Sequence, residues 1–415
     1  MWSRFDIETG GGRLPFLYES VLPLHLGFSG YGAVQKAAFA LRDSAFRSGV
    51  DCRVRVYIGE DRRDDLAEGV FDGSAIVGEG LPEYMKRLTG QDRFSLVINN
   101  LEQANGQLAA DFGQFIRSFF IARGLPLGGV EQAAFCGNYT GTAFGIHEGF
   151  EHAFLCHLGP GVKNFYCWSR ADYMRVTGTR KPTFSNSASF ERLLECGELF
   201  VLKPGDVLYL PASVYHIGRQ QDYSVSVALP LYTYPFSRFA SRGVLPALAD
   251  CTLPFDHEGM SPHLSFIDRN PLVDPISELL RTTFESWIGN ELPRFLAFYW
   301  HRLRSNGGWE LPRSIATNLF EESDLSAPLD IERGTLVRLR RPYVLSYQRG
   351  LDCEPDRMRA FVAGRSVAVS SCETDLADMA TRLNDGETLK VNSGGLSALF
   401  RELSRTGGLE IVSVD

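Results

Sequence analysis

No uninterrupted apolar run in this 415-residue sequence reaches the roughly 18 residues that a membrane-spanning helix needs. The opening stretch MWSRFDIETGGGR has no hydrophobic signal core, so a cytoplasmic protein is expected. Cysteine pairs are missing too: eight cysteines are scattered singly, with no CxxC, which excludes zinc-ribbon and dithiol redox chemistry and fits reduced thiols. Positive charge is in deficit, 42 Lys and Arg against 50 Asp and Glu, a net −8. That balance gives no reason to expect nucleic acid or an anionic membrane as partner, whereas a small acidic cosubstrate needs only one local basic residue. Internal repeats and low-complexity tracts are absent as well.

What is present is ordinary globular composition, 44% apolar and 22% charged, over a length that implies two or three domains. Up to about residue 130 strands and helices mix. "CRVRVYIG" and "FSLVINNL" read as strands, and "QLAADFGQFIRSFFIARG" has helical spacing up to a glycine stop. From about Gln132 to Pro235 the texture becomes short β-like runs broken by turn residues ("AAFCGNYTG", "KNFYCW", "ELFVLKPGD", "VLYLP", "YSVSVALPL"), the pattern of a barrel or sandwich. Beyond residue 270 a helix capped by Asp274 and opened by Pro275 carries Ile276, Leu279, Leu280, Trp287 and Ile288 on one stripe. A second helix carries Phe295, Phe298, Tyr299 and Leu303; core packing is the plain reading of this aromatic density, and residues 270–305 are a candidate homodimer surface. The last eighty residues read as strands, a helix through Leu376, Met379 and Leu383, a helix through Leu396, Leu399, Phe400 and Leu403, and a final strand "LEIVSV". This is a winged-helix pattern. Thr335 to Asp415 nevertheless holds eleven basic and eleven acidic residues, so the module lacks the footprint of a DNA binder.

Two histidines carry the chemical signal. Non-haem iron oxygenases place two histidines and one carboxylate on one face of the metal, leaving the other positions for cosubstrate and oxygen. The first His and the carboxylate commonly stand as HxD or HxE on a strand, because residues i and i+2 point the same way about 6.6 Å apart. In "FGIHEGFEHAF" His147 stands at the head of such a run, and "LKPGDVLYLPASVYHIG" supplies His216 after a Gly205-Asp206 turn and an apolar strand.

Gly145-Ile146-His147-Glu148-Gly149, then "HAFLCHLGPGVKNFYCW", then Pro204-Gly205-Asp206-Val207-Leu208-Tyr209-Leu210-Pro211 and His216 resemble the JmjC-type cupin oxygenases, most closely their bacterial ribosomal-protein hydroxylases. The resemblance covers roughly residues 95 to 235, and the helical and winged-helix-like tail matches that family's arrangement. It implies an α+β chain with a double-stranded β-helix core: a catalytic domain over 1–250, a helical segment over 251–310 and a winged-helix-like domain over 311–415. It further implies Fe(II) held by His147 and His216, and 2-oxoglutarate anchored by Lys163 at the family's basic position. Tyr139, Thr142 and Asp222 are candidates to line the pocket. A peptide, a protein or a small molecule fits as substrate.

The family's carboxylate is missing, because Gly149 stands in its place. Three accounts compete. Another group can move in: Glu148 faces the wrong side of a regular strand, Glu151 has the right parity but lies about 13 Å along the chain, and His152 is worse on both counts. The gap can be functional, as in iron and 2-oxoglutarate halogenases of another branch, where chloride takes the place of the side chain. Or the cupin has lost its metal chemistry and kept a binding role, although His147, Lys163 and His216 all stand at fitting spacing.

Overall fold

A computed structural model describes residues 1–72, 78–141, 144–232, 281–282, 285, 287–312, 325–351, 354, 356–370 and 373–412. The chain divides into two units, one of residues 1–233 with 307–312 and one of residues 234–306 with 313–415.

The first unit is built on two antiparallel sheets. Its strands are β1 (Phe16–Tyr18), β2 (Arg53–Ile58), β3 (Asp61–Arg62), β4 (Ser95–Asn99), β5 (Ala133–Gly137), β6 (His147–Glu148), β7 (His152–Pro160), β8 (Lys163–Trp168), β9 (Glu198–Leu202), β10 (Val207–Leu210), β11 (Tyr215–Arg219) and β12 (Ser224–Leu231). The large sheet runs β1-β10-β7-β12-β5-β4-β2-β3 and the small one β6-β11-β8-β9. Strand alternation sorts the side chains. Leu155, Phe165, Cys167, Leu202, Leu208 and Leu210, drawn from both sheets, form one interior cluster. On the back of the large sheet Phe154, Cys156 and Val227 share a core with Leu108, Phe112 and Ile116. Those last three come from the helix Gly106–Arg123, which Asn105 caps by accepting from Gln107 N and Leu108 N and which ends at Gly124 with φ +83°. The back of the small sheet, Tyr215 and Ile217, packs on Tyr173, Phe190 and Leu193 of two short helices.

The turn before β10 shows why its residues are what they are. Gly205 adopts φ +97°, and the buried Asp206 carboxylate accepts from Lys203 N and from Ser20 N, both at 2.8 Å. One side chain thus closes the turn between the two sheets and pins the N-terminal segment to it. The strands and the long helix read from the sequence of this unit are all present.

In the second unit β13 (Leu336–Leu339) lies between β17 (Leu389–Lys390) and β18 (Leu409–Val412), while β14 (Ser346–Arg349), β15 (Met358–Val362) and β16 (Arg365–Val369) form a further antiparallel sheet. Helices Glu373–Asn384 and Gly394–Ser404 bury Leu376, Met379, Leu383, Leu399, Phe400 and Leu403 in its core, the positions their spacing picked out. Phe295, Phe298 and Leu303 of the helix Leu292–Ser305 are also buried, as the packing reading requires. Ile288 is 55% exposed, off the stripe that places it with the buried Trp287. Trp287–Glu291 is π-helical, and its wider turn shifts the face that each residue presents. The Asp274 cap, Pro275, Ile276, Leu279 and Leu280 lie outside the described residues. Among the described residues no helix is long and apolar enough to cross a membrane.

Candidate metal centre

His147 and His216 are directly opposed residues of the β6–β11 pair, which brings their ring centroids to 4.5 Å. Short local devices set both rings. Gly145 adopts φ +59° with its α-carbon pressed toward Thr183 O, where a Cβ would come within 2.6 Å, so only glycine fits two residues before His147. Its carbonyl lies 3.0 Å from His147 Nδ1, and the Val214 carbonyl lies 3.2 Å from His216 Nδ1. A carbonyl only accepts, so each Nδ1 carries the proton and each Nε2 keeps its lone pair, the tautomer a metal ligand needs. Enclosure holds both rings neutral: burial lowers the pKa of His147, and burial followed by the neighbouring His147 takes His216 down to about 3.

The pair opens on a cavity of about 340 Å³ between the two sheets. The small sheet contributes His147, Lys163, Phe165, His216 and Gly218; the large sheet contributes Arg55, Phe135, Leu155, Leu210 and Ala228. Lys163 is 2% exposed and donates from Nζ to the Tyr139 hydroxyl at 2.9 Å. Burial takes this ammonium down to about 7 from the ordinary lysine value near 10.5 and raises the Tyr139 phenol. Gly218 makes the lysine's position available, since a Cβ there would lie 2.8 Å from Lys163 Cε. A buried cation with a neutral partner beside two imidazoles fits an acidic cosubstrate lying next to a metal.

The other candidate residues are placed differently. Gly149 follows β6, and a Cβ on it would meet His216 Cε1 at 3.2 Å, so the position does face the second imidazole. Glu148 accepts from Arg170 Nε at 2.9 Å and has Arg180 at 4.0 Å, which engages its carboxylate away from the histidines. Glu151 lines the same cavity because the chain passes from the small sheet to the large one between β6 and β7, a bend that an extended-chain distance overlooks. His152 is on the opposite parity, with Nδ1 2.7 Å from the Tyr209 hydroxyl and outside the cavity lining. Asp222 is exposed and also outside that lining, while Thr142 lies outside the described residues. Among the described residues no three His, Cys, Asp or Glu side chains come together as a metal site, so neither Glu148 nor Glu151 completes a triad with the histidines. The residues present fit a metal through two protein ligands and an acid through Lys163; a third protein ligand is lacking among the described residues.

Sequence reasoning passed over Arg55, Phe144 and Gly218, all of which line the cavity. Gly218 was findable, since it stands two residues beyond His216 on the same strand face. Arg55 was not, because β2 reaches the cavity only through the strand order of the large sheet.

Residues 159–237 match the model of the JmjC domain, a span that includes Lys163 and His216 but not His147 or Gly149. No curated protein sequence matches the chain. Among solved structures, the ribosomal oxygenase YcfD from Escherichia coli in complex with cobalt and succinic acid is 13% identical, with a TM-score of 0.52 over 99% of this chain and 98% of that one. The same enzyme with cobalt and 2-oxoglutarate is 14% identical, with a TM-score of 0.51 over the same shares. A segment of the chain, residues 159–237, thus matches the JmjC domain, and the chain shares the fold of YcfD over nearly its whole length.

Proposed function

We propose that this chain is an Fe(II)- and 2-oxoglutarate-dependent oxygenase acting on an unactivated C–H bond, with hydroxylation of a peptide, protein or amino-acid-derived side chain as the outcome. One observation carries the reading: two opposed imidazoles with both Nδ1 atoms committed to backbone carbonyls share a cavity with a buried lysine. The cobalt and 2-oxoglutarate bound to YcfD, which has the same fold, support it.

Bound iron would supply oxygen activation that no side chain offers. The chain's own groups do the rest. His147 and His216 would hold the metal through Nε2. Lys163 would take the distal carboxylate of the oxo-acid, steadied by Tyr139, and in a low-dielectric pocket that ion pair is stronger than it would be in water. Phe135, Leu155, Phe165 and Leu210 keep the site apolar and limit water. Gly149 favours a second reading, halogenation with chloride in place of a carboxylate, because the position faces His216 and carries no donor.

Succinate released from 2-oxoglutarate in the presence of Fe(II) tests the proposal, with His147→Ala and His216→Ala as controls. No succinate with any candidate substrate, and equal Fe(II) binding by wild type and both variants, would leave a binding cupin. Chloride that tightens the iron complex would select halogenation. In the second unit, the order helix, strand, helix, strand over Glu373–Val412 supports a winged-helix-like reading, with the seven acidic against four basic residues of that segment arguing against nucleic acid.

A further inference from the structure

Arg55 is the second cation in the wall of the cavity, and it has no role in the reading above. It lies on β2, four strands away from β7 in the large sheet, yet it shares the cavity with His147, Lys163 and Phe144. Its partners are neutral: Nη2 donates to Asn99 Oδ1 at 2.7 Å, the Tyr57 phenol is within reach, and the guanidinium lies over the Phe144 ring, 5.5 Å from its centroid. Nε is buried and has no acceptor among the described residues. The neighbouring cations Arg53 and Arg62 act on it and lower its pKa further, behind the larger effect of burial.

This placement is built into the fold. Arg55 is diagonal to Asn99 across the β2–β4 pair, in which Arg53 faces Asn99. The Asn99 side chain has one orientation available, because its Nδ2 donates to the buried Glu131 carboxylate, which leaves Oδ1 for the guanidinium. Glu131 is itself occupied, by Asn100 N at 3.1 Å and by the Tyr232 hydroxyl. A buried acid thus orients an amide, and the amide holds an arginine against the cavity without neutralising it. Holding a partly buried guanidinium with Nε unpaired and neutral partners elsewhere is costly, and an anion arriving from the cavity removes that cost. Glu148 in the same wall is engaged by Arg170 and Arg180, and among the described residues Arg55 makes no ion pair with an acid.

We propose that Arg55 is a specificity-determining residue that receives a carboxylate of the substrate, so that the cavity takes an acidic molecule or side chain while Lys163 serves the oxo-acid. The assignment of Lys163 rests on the oxygenase reading; the acid site at Arg55 does not require it. Two cations on opposite sheets give two anions separate seats. The aromatic residue at the cavity rim, Phe150, is 86% exposed and offers apolar contact to whatever carries the acid.

The test uses the full chain with Mn(II) and capped amino acids whose side chain is the only charge: N-acetyl amides of Asp, Glu, Asn, Gln and Arg, titrated by calorimetry beside 2-oxoglutarate. The acids are expected to bind at least about tenfold tighter than the matching amides and than the arginine derivative, as one charge-assisted hydrogen-bonded pair implies. Arg55→Met is expected to abolish that preference and leave 2-oxoglutarate binding within about twofold, Arg55→Lys to retain part of it, and Lys163→Met to do the reverse. Wild-type protein that binds no acid better than its amide overturns the proposal without any variant. Loss of 2-oxoglutarate affinity in Arg55→Met would overturn it as well, by giving the arginine to the cosubstrate. Failure of the oxygenase reading appears separately, as absent 2-oxoglutarate binding with the acid preference intact.

Discussion

Lys163 sets stability against function, and the conflict can be measured. Burial lowers its pKa to about 7 from the ordinary value of 10.5. The unfolded chain therefore binds more protons than the native one between those two values, so native stability rises with pH across that window and the penalty is complete below about 7. A shift of this size corresponds to roughly 4 kcal/mol at pH 7, taking about 1.4 kcal/mol for each pH unit of the window. Lys163→Met keeps the stem that packs over Gly218 and removes the charge. The variant should be more stable than wild type by a few kcal/mol at pH 7 in the absence of ligand, with the gain shrinking toward zero as pH approaches 10. Denaturant midpoints at pH 7, 8 and 9 give the comparison. An acid that pairs with Lys163 restores its proton, so 2-oxoglutarate binding should take up a proton above pH 7 and weaken by about tenfold per pH unit there. Calorimetry in buffers of different ionisation enthalpy reads that proton directly. A variant less stable than wild type, or a stability gain that does not change with pH, would refute the argument that an uncompensated ammonium sits in this wall.

Three further outcomes follow from the geometry. His147→Ala or His216→Ala removes one of the two proposed protein ligands and should weaken Mn(II) binding by at least about a hundredfold, read by calorimetry or by the loss of the bound-ion signal in electron paramagnetic resonance. Glu148→Ala should leave that affinity within about twofold, because its carboxylate is already taken by Arg170 and Arg180; a large loss would make it a metal ligand. Gly218→Ala places a Cβ 2.8 Å from Lys163 Cε and should raise the KM for 2-oxoglutarate about tenfold or more while metal affinity is unchanged. Equal effects on both would mean general damage to the two-sheet core.

Much of this molecule is visible in one dimension. The alternation in "KNFYCW" and "YSVSVALPL" makes strands whose inward and outward residues are known before any pairing is, since the side-chain period of a strand is two. The glycine stop after the helix Gly106–Arg123 and the spacing of the helices Glu373–Asn384 and Gly394–Ser404 are equally local properties. His147 and His216 were legible because each stands inside a short motif with its own turn chemistry. What the motif could not convey is what surrounds them. Glu151 looked too far along an extended chain, yet the passage from one sheet to the other returns it to the cavity wall. Glu148 was adjacent in sequence and is engaged instead by arginines that begin 22 residues later.

The sequence by itself determined the strands, the two imidazoles and the absence of a carboxylate at position 149, because these depend on residue type and on neighbours a few positions away. Only the tertiary structure decided that Lys163 is buried over Gly218 and that Arg55, drawn from the far side of the large sheet, faces the same space. Burial and charge partnership depend on which strands lie next to one another, and that order is set by pairing over tens to hundreds of residues, beyond the reach of any local pattern.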